Sequence, residues 1–512
     1  MKVLYLGHAG FYIETDEASI LCDPWFNPAY FGSWWPFPAN DHVNRERIGH
    51  PTLLYISHLH QDHFDPDFLS RHVDKSVQVI LPAYPLPALE DALRRLGFTR
   101  FLTAPDGEFI PVGKTLKVAT RAYTAPADGP LGDSCLMVDD GTTRLLNLND
   151  AHPRDFDALQ QWGPIDGLCL QFSGAIWYPM VYELPPEEMA ARGREKRRNE
   201  MERAATFIRL LNPRHIFPSA GPAGFLDPDL FAFNDVDNDE TNTFPDQTVF
   251  LTELERRGLR EGHLVLPGTE IILNGADCQT THHFPGETPE TIFEHKADYL
   301  RRYQAQAMPR ITAERSSWPA PHAELLEELR RRLEPIMAIA DLTARRIRAS
   351  VVLDWGDGAA ELDFRRRQVR AWDGKPAPYY FQVPGPLIQA CLDDYVVDWV
   401  NSLFLSCRFR ARREGEYNEA VYTFFKCLSP ERIQYAEGYW MESEADKELW
   451  QYGGWLIQRR CPHLKADLRR FATIDQKGIL TCQMHGWRFD LESGRCLNAD
   501  DRVIYRRRLD AD

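Results

Sequence analysis

Nine residues, Ser57 to Asp65 (SHLHQDHFD), hold three histidines and two aspartates, and they follow directly on the apolar run Leu53-Leu54-Tyr55-Ile56. The run is short, apolar and bounded by polar residues, so it reads as a buried strand. Titratable side chains crowded at a strand end are costly to bury unless a cation compensates them. Alternate side chains of an extended backbone share a face, so His58 and His60 can reach one ion. Asp62 and His63 follow at a spacing that suits a second ion or a bound water. A chain with this segment has to fold so that a strand edge opens into a metal site.

At 512 residues the chain is too long for one core, and two to four domains are expected. A hydrophobic share of 44% and a charged share of 26% suit a globular protein. The net charge of −16 argues against a nucleic-acid partner, because phosphate neutralisation needs excess Lys and Arg. No run approaches the roughly eighteen apolar residues of a membrane span, so no membrane partner is expected. The start, MKVLYLGHAGFYIE, reads as a first β-strand and not as a leader. Ten cysteines are too sparse for a disulfide scaffold, and two of them sit in a motif that needs thiolates. A cytoplasmic location is the resulting expectation.

Residues 1–275 read as short apolar strands (Val3–Leu6, Ser19–Cys22, Leu53–Ile56, Val77–Leu81, Arg144–Leu148) with helices between them. Pro185–Leu211 reads as a helix with proline at its start, Asn-Pro after it and a heavily charged middle. Residues 276–435 change texture: a charged amphipathic helix at Ala323–Met337 precedes strand-like Ala349–Trp355 and Tyr379–Val383, then apolar Val396–Phe409. This stretch is expected to be a small α+β middle domain. Residues 436–512, rich in short strands, glycine and aromatics, are expected to form a compact all-β module.

Two motifs in that module carry its chemistry. Cys461 and His463 are spaced C-x-H, and Cys482 and His485 are spaced C-x-x-H, with eighteen residues between the pairs. Two cysteines and two histidines arranged this way are the ligand set of a Rieske [2Fe–2S] centre, in which histidines replace two thiolates on one iron. A structural zinc site also uses such ligands, but a zinc finger sets its two histidines together on one helix. Here each half pairs one Cys with one His, and the tail HGWRFDLESGRC resembles the Rieske domains of oxygenases.

The H-x-H-x-D-H of His58, His60, Asp62 and His63 resembles the metal loop of the metallo-β-lactamase fold, an αββα sandwich with metals at one edge. On that resemblance Asp150, in LLNLNDAHP, stands where the fold presents its bridging carboxylate, and His152 lies two residues on. His8 in LGHAGF and Asp23 in LCDPW stand where early strand ends approach the metals, with ligation and a supporting role both open. The fold's usual third histidine for the first ion belongs shortly before the Asp150 strand, yet YTAPADGPLGDSC contains none. His58, His60 and Asp150 then remain, two histidines and a carboxylate, the set expected of non-haem iron(II) oxygenases. One iron on these three is expected, with a second ion on Asp62 and His63 left open.

The stretches CDPWFNPAYFGSWW, YISHLHQDH, LLNLND, FSGAIWYPMVY and NPRHIFPSAGPAGF, with DNDETNTFPDQ and LFLSCRFRAR, make the chain similar to the CMP-N-acetylneuraminate hydroxylase family. The resemblance runs over nearly the whole chain. It implies a metallo-β-lactamase-fold domain joined to a Rieske module, with O2-dependent hydroxylation of an unactivated C–H bond. The family's Rieske module comes first, whereas here it comes last, so the substrate is left unassigned. Substrate-facing candidates are Trp34 and Trp35, Ser173 and Gly174, Ser219 to Gly221, and the basic run Arg194, Lys196, Arg197 and Arg198, each with a core or solvated alternative.

The expected function is oxygenation of a small polar metabolite, by hydroxylation or N-oxygenation. Electrons would come from a ferredoxin, a flavin (flavodoxin-type) reductase or a cytochrome reductase, through the cluster to the N-terminal iron. His58, His60 and Asp150 would hold that iron, and Asp62 would deliver a proton or bridge two ions. A metal-dependent hydrolase with a redox-sensing Rieske module is the alternative, and a non-catalytic electron carrier a third reading. The ligand chemistry alone makes one prediction. Protein purified without oxidative damage should be brown, with acid-labile sulfide and two irons assignable to the C-terminal module. His485→Cys should lower the cluster's reduction potential, since a thiolate adds negative charge. Colourless protein with stoichiometric C-terminal zinc would refute the assignment.

Overall fold

The computed structural model describes residues 1–125, 129–174, 176–259, 261–445, 448–499 and 502–509. The chain divides into two compact units, Met1–Thr124 with Leu131–Met180 and Met189–Ser317, and Ala125–Pro130 with Val181–Glu188 and Trp318–Asp512.

Two mixed sheets build the first unit. One has eight strands, in spatial order Asp277–Thr281, Glu270–Asn274, Lys2–Gly7, Gly10–Glu14, Ser19–Cys22, Leu53–Tyr55, Gln78–Leu81 and Arg100–Thr103. The other has six: His215–Ser219, Gly167–Gln171, Arg144–Asn147, Gly129–Asp139, Lys117–Ala125 and Ile110–Pro111. Successive side chains alternate faces, and the burial follows that alternation. Val3, Tyr5, Phe11, Ile13 and Ile20 pack inward with Leu136, Val138, Leu145, Cys169 and Phe217 of the second sheet. Leu4, Leu6, Tyr12, Leu21 and Leu54 face outward onto Phe68 and Leu69 of helix Pro66–His72 and Leu89 and Leu93 of helix Ala88–Arg95. Strands buried on both faces read as continuous apolar runs, which is why these segments were recognisable.

Ser19–Cys22, Leu53–Tyr55, Gln78–Leu81 and Arg100–Thr103 run parallel, as do Arg144–Asn147, Gly167–Gln171 and His215–Ser219. Neighbouring parallel strands deliver their C-terminal ends to one edge, and polar loops concentrate there. The helix expected over Pro185–Leu211 spans Pro186–Leu211. The first unit runs to Ser317, beyond the boundary expected at 275. Helix Lys296–Ser317 buries Tyr299, Leu300, Tyr303 and Ile311 against Trp35, Phe37 and Leu226.

In the second unit a five-stranded sheet, Gln368–Ala371, Ala359–Asp363, Ser350–Asp354, Tyr379–Gln382 and Arg410–Arg413, accompanies helices Leu325–Ile339, Asp341–Ile347, Gly385–Asp393, Glu419–Lys426 and Pro430–Ala445. Two three-stranded antiparallel sheets follow: Leu449–Tyr452, Trp455–Gln458 and Arg506–Arg508, then Ala472–Ile474, Ile479–Cys482 and Trp487–Asp490. The segment Val396–Phe409, read only as apolar, contains a short wide helical turn at Val400–Phe404. No helix among the described residues is long and apolar enough to cross a membrane.

One buried carboxylate locks the metal loop to the sandwich. Asp65 caps helix Pro66–His72 through the Phe68 amide at 2.9 Å, and its other oxygen accepts from the Phe26 and Asn27 amides, both at 2.9 Å. Asp65→Ala leaves three amides without that acceptor. It should lower the stability of the first unit by about 2–4 kcal/mol whether or not metal is present, measured by denaturant unfolding.

Candidate metal centres

Asp23 and Ser57 follow adjacent parallel strands, and together they orient the imidazoles of the loop. The Asp23 carboxylate is fully buried. It accepts from the Ser57 amide at 2.7 Å, the Ser57 hydroxyl at 2.6 Å and His63 Nδ1 at 2.9 Å. Ser57 Oγ in turn accepts from His58 Nδ1 at 2.9 Å. Both rings therefore carry their proton on Nδ1 and turn the Nε2 lone pair inward, as metal-ligating histidines do.

The side chains gather into two sets, each with ligand atoms within 4.8 Å of one another: His58, His60 and Asp133, and His8, His63 and Asp150. His58 Nε2 lies 3.3 Å from Asp133 Oδ1, and His63 Nε2 lies 3.4 Å from Asp150 Oδ2. The His58 ring centroid is 4.2 Å from both His60 and His63, so the two sets adjoin. Asp62 stands beside the second set, accepting from Tyr30 Oη at 2.5 Å and pairing with His8 Nε2 at 3.0 Å.

This pocket fits divalent ions. His8 Nδ1, His58 Nε2, His63 Nε2 and Asp150 Oδ1 are buried with no hydrogen-bond partner among the described residues. Buried polar atoms are ordinarily satisfied, so four orphans converging on one pocket fit a site for a cation. Burial, with His63, His60 and His8 nearby, holds His58 well below its ordinary pKa and keeps it a neutral donor. Burial alone would depress His63 too, but the carboxylates of Asp150 and Asp62 outweigh it and hold His63 well above. Burial would raise Asp62, yet His63 and His8 hold it well below the carboxylate range. The site thus demands positive charge, which a metal ion supplies.

The grouping differs from the one expected from sequence. Asp150 gathers with His8 and His63, while Asp133 takes the third place beside His58 and His60. Asp133 was not among the candidates, although it lies in the very stretch, YTAPADGPLGDSC, searched for a histidine. Ser134, its neighbour, donates to the Ser57 carbonyl at 2.7 Å and so pins this strand to the loop.

His152 belongs to neither set. It lies against Phe207 and near Arg203 and Glu200, and burial with Arg203 pushes its pKa down to about 3. Burial would raise Glu200, but Arg203 and Lys196 outweigh it and hold it at about 2. Lys196 meets Glu200 at 2.6 Å, Arg194 pairs with Glu240, and Arg197 donates to the Val236 carbonyl at 2.9 Å, so most of the basic run is tied within its own surroundings. Trp34 and Trp35 are core residues: Trp34 packs edge-on to Tyr30 and Phe244, and Trp35 donates to the Gly32 carbonyl at 3.1 Å. Ser173 and Ser219 are buried, and Ser173 Oγ lies 2.3 Å from where a Cβ on Gly221 would stand.

The C-terminal candidate ligands sit on two tight loops. The Cys461 amide donates to the Ala466 carbonyl at 2.9 Å, and the Gly486 amide to the Cys482 carbonyl at 2.8 Å. The thiols are near enough to share a proton: burial and Cys482 push Cys461 well up, and Cys461 draws Cys482 down. The His463 and His485 rings stand perpendicular, with centroids 4.9 Å apart, and His463 stacks on Trp487 at 4.0 Å. His463 Nε2 faces Glu419 Oε1 at 3.5 Å, which leaves Nδ1 to turn toward a cluster. Two adjacent thiols and two adjacent imidazoles fit a [2Fe–2S] centre with one iron on each pair.

Family models agree with this layout. A "Beta-lactamase superfamily domain" matches residues 2–220, a "Rv3818-like, SCP2-like domain" residues 325–442, and a "Rieske [2Fe-2S] domain" residues 450–504. A Mycolicibacterium smegmatis protein with the provisional name Rieske 2Fe-2S iron-sulfur protein is 45% identical, over 99% of this chain and 100% of its own. One from Mycobacterium tuberculosis with the same provisional name is 44% identical, over 98% of each chain. The mouse cytidine monophosphate-N-acetylneuraminic acid hydroxylase is 26% identical over 43% of this chain and 39% of its own. The N-terminal fold is thus the metallo-β-lactamase fold, and the C-terminal module is a Rieske [2Fe–2S] domain.

The two-set geometry makes a prediction about metal content. Asp133→Ala should lower metal affinity at the His58–His60 set by at least the about 10- to 100-fold that loss of a supporting partner costs. Iron analysis should then find about one ion fewer per chain, with the Rieske spectrum intact. Unchanged iron would exclude Asp133 as a ligand.

Proposed function

The chain belongs to the family of these mycobacterial Rieske 2Fe-2S iron-sulfur proteins, and we propose that it is an oxygenase that uses O2 and external reductant to hydroxylate a small polar metabolite. The observation that carries the reading is the make-up of the N-terminal pocket. Where a dizinc hydrolase of this fold has a third histidine, Asp133 joins His58 and His60, giving the two-histidine, one-carboxylate set associated with non-haem iron(II). The second set, His8, His63 and Asp150, supports a two-iron site in place of the single ion expected on His58, His60 and Asp150. A Rieske domain on the same chain supplies a one-electron relay that a hydrolase does not need.

Iron held there would supply the activation of O2 and the oxidation of the substrate C–H or N–H group. The protein's own residues prepare that chemistry. Asp23 and Ser57 fix the His58 and His63 rings, so the ligands need no reorganisation on turnover. Trp25 packs edge-on to His8 at 5.0 Å and helps exclude water from this side. Asp62, held anionic, is not itself a proton source. The Tyr30 hydroxyl bonded to it keeps its proton, because burial and the Asp62 charge push Tyr30 well above its ordinary pKa. Tyr30 thus acts as a hydrogen-bond donor that holds the Asp62 carboxylate in place at this edge. The electron donor would be a ferredoxin, a flavin reductase or a cytochrome reductase, and N-oxygenation is the related outcome on a substrate that offers nitrogen.

Two variants separate the sites. His60→Ala should abolish reductant-driven O2 consumption with substrate and lower N-terminal iron, while the Rieske spectrum survives. Cys461→Ser should bleach the cluster, leave N-terminal iron in place and abolish the same consumption. Nitric oxide added to the reduced Cys461→Ser protein should give a high-spin iron–nitrosyl signal. Full reductant-driven activity in the Cys461→Ser variant would remove electron relay as the cluster's role. Zinc in the N-terminal pocket with turnover independent of O2 would instead support the hydrolase.

A further inference from the structure

A third cluster of ligating side chains lies where the two sheets of the sandwich leave their edges open. His215 begins the edge strand His215–Ser219 of the six-stranded sheet, and Cys278 lies on Asp277–Thr281, the edge strand of the eight-stranded sheet. His263 sits on the loop beside them, its amide donating to the Ile216 carbonyl at 2.9 Å and its ring stacked on Phe217 at 5.4 Å. One ligand atom from each of the three lies within 4.8 Å of the others. The group is separate from the pocket described above. Ala220, just past the far end of the His215 strand, donates to the His8 carbonyl, and His215 lies at the strand's other end, about 16 Å back along it.

The hydrogen bonds orient the imidazoles for a cation. His215 Nε2 lies 2.9 Å from the Ala276 carbonyl, which can only accept, so the ring carries its proton on Nε2 and its lone pair on Nδ1. That Nδ1 faces His263 Nε2 at 3.0 Å. An imidazole that donates its outer N–H to a backbone carbonyl and aims its other nitrogen at a second imidazole has the arrangement of a metal ligand and its supporting partner. Tetrahedral zinc sets neighbouring nitrogen and sulfur ligands about 3.3–3.8 Å apart, so small side-chain shifts bring the three to ligating positions. A cavity of about 600 Å³ lined by Arg214, Asn212, Glu261 and Ala276 lies against His215.

We propose that His215, His263 and Cys278 form a zinc-class cation site that ties the edge strands of the two sheets together. Imidazole and thiolate together select zinc over the harder magnesium and calcium. On binding, the ion replaces the proton between the two rings, His263 moves its own proton to Nδ1, and the Cys278 thiol releases one proton to solvent. Nothing is oxidised or reduced. A cation bound only by the folded state stabilises the sandwich by mass action.

Cys278 is half-buried, while the nine other cysteines are buried, so its alkylation can be followed in the intact iron-loaded protein. The holoprotein is treated with iodoacetamide, with and without added zinc, and the Cys278 peptide is quantified by mass spectrometry alongside the Rieske absorbance. Zinc should slow Cys278 alkylation at least about tenfold, and His215→Ala and His263→Ala should each remove that protection. Metal analysis should show about one zinc per chain beyond the iron, lost in Cys278→Ser, whose thermal midpoint should no longer rise with zinc. Alkylation at equal rates with and without zinc would overturn the proposal. So would protection that persists in both histidine variants.

Discussion

The Asp23 carboxylate is the constraint on which the N-terminal pocket depends. It is buried just past the end of one parallel strand and accepts hydrogen bonds from the amide and hydroxyl of Ser57, just past the next strand, and from His63. A buried carboxylate with these charge-assisted bonds is held rigidly, and breaking any one leaves it uncompensated. Through Ser57 it also sets His58. One buried anion thus decides which nitrogen of two histidines faces the pocket. The Ser57 carbonyl in turn receives the Ser134 hydroxyl, bringing the Asp133 strand into the same network.

With the rings fixed, the character of the site is set by charge. Asp133, Asp150 and Asp62 bring three carboxylates to a pocket whose histidines include His58, kept neutral by burial. An oxygen-rich, anionic pocket of this kind differs from an all-histidine first site in the ions it favours and in the open positions it leaves. The Rieske pocket solves a different problem. Its thiols lie against each other in a dry environment, and its His463 is braced by Trp487 on one side and faces Glu419 on the other. Glu419 belongs to the SCP2-like domain and also pairs with Arg502, so the middle domain provides part of the surroundings of His463.

The Rieske module and the H-x-H-x-D-H loop were legible in the sequence because their motifs are local. C-x-H, C-x-x-H and alternation along an extended segment place ligands within a few residues of each other, and no long-range fold is needed to read them. The strands Ser19–Cys22 and Leu53–Tyr55 were legible for the same reason, as apolar runs of strand length bounded by turns. The presence of a helix at Pro186–Leu211 followed from its proline start and Asn-Pro end.

What only the tertiary structure decided lies farther apart along the chain. The antiparallel pairing of Arg144–Asn147 with Gly129–Asp139 sets the strand that carries Asp133 beside the one that leads to Asp150, and no periodicity in either announces that meeting. His8 and Asp62 are 54 positions apart and meet only because the turn at Gly7 opens onto the same edge as the metal loop. The limit of the first unit at Ser317 was likewise invisible, because a charged helix discloses which residues it buries but not which core receives them. The sequence by itself determined that the chain holds a Rieske cluster and a histidine–aspartate metal loop. The fold decided which carboxylate joins which histidine, because sheet register and the convergence of parallel strand ends are properties of the assembled sandwich.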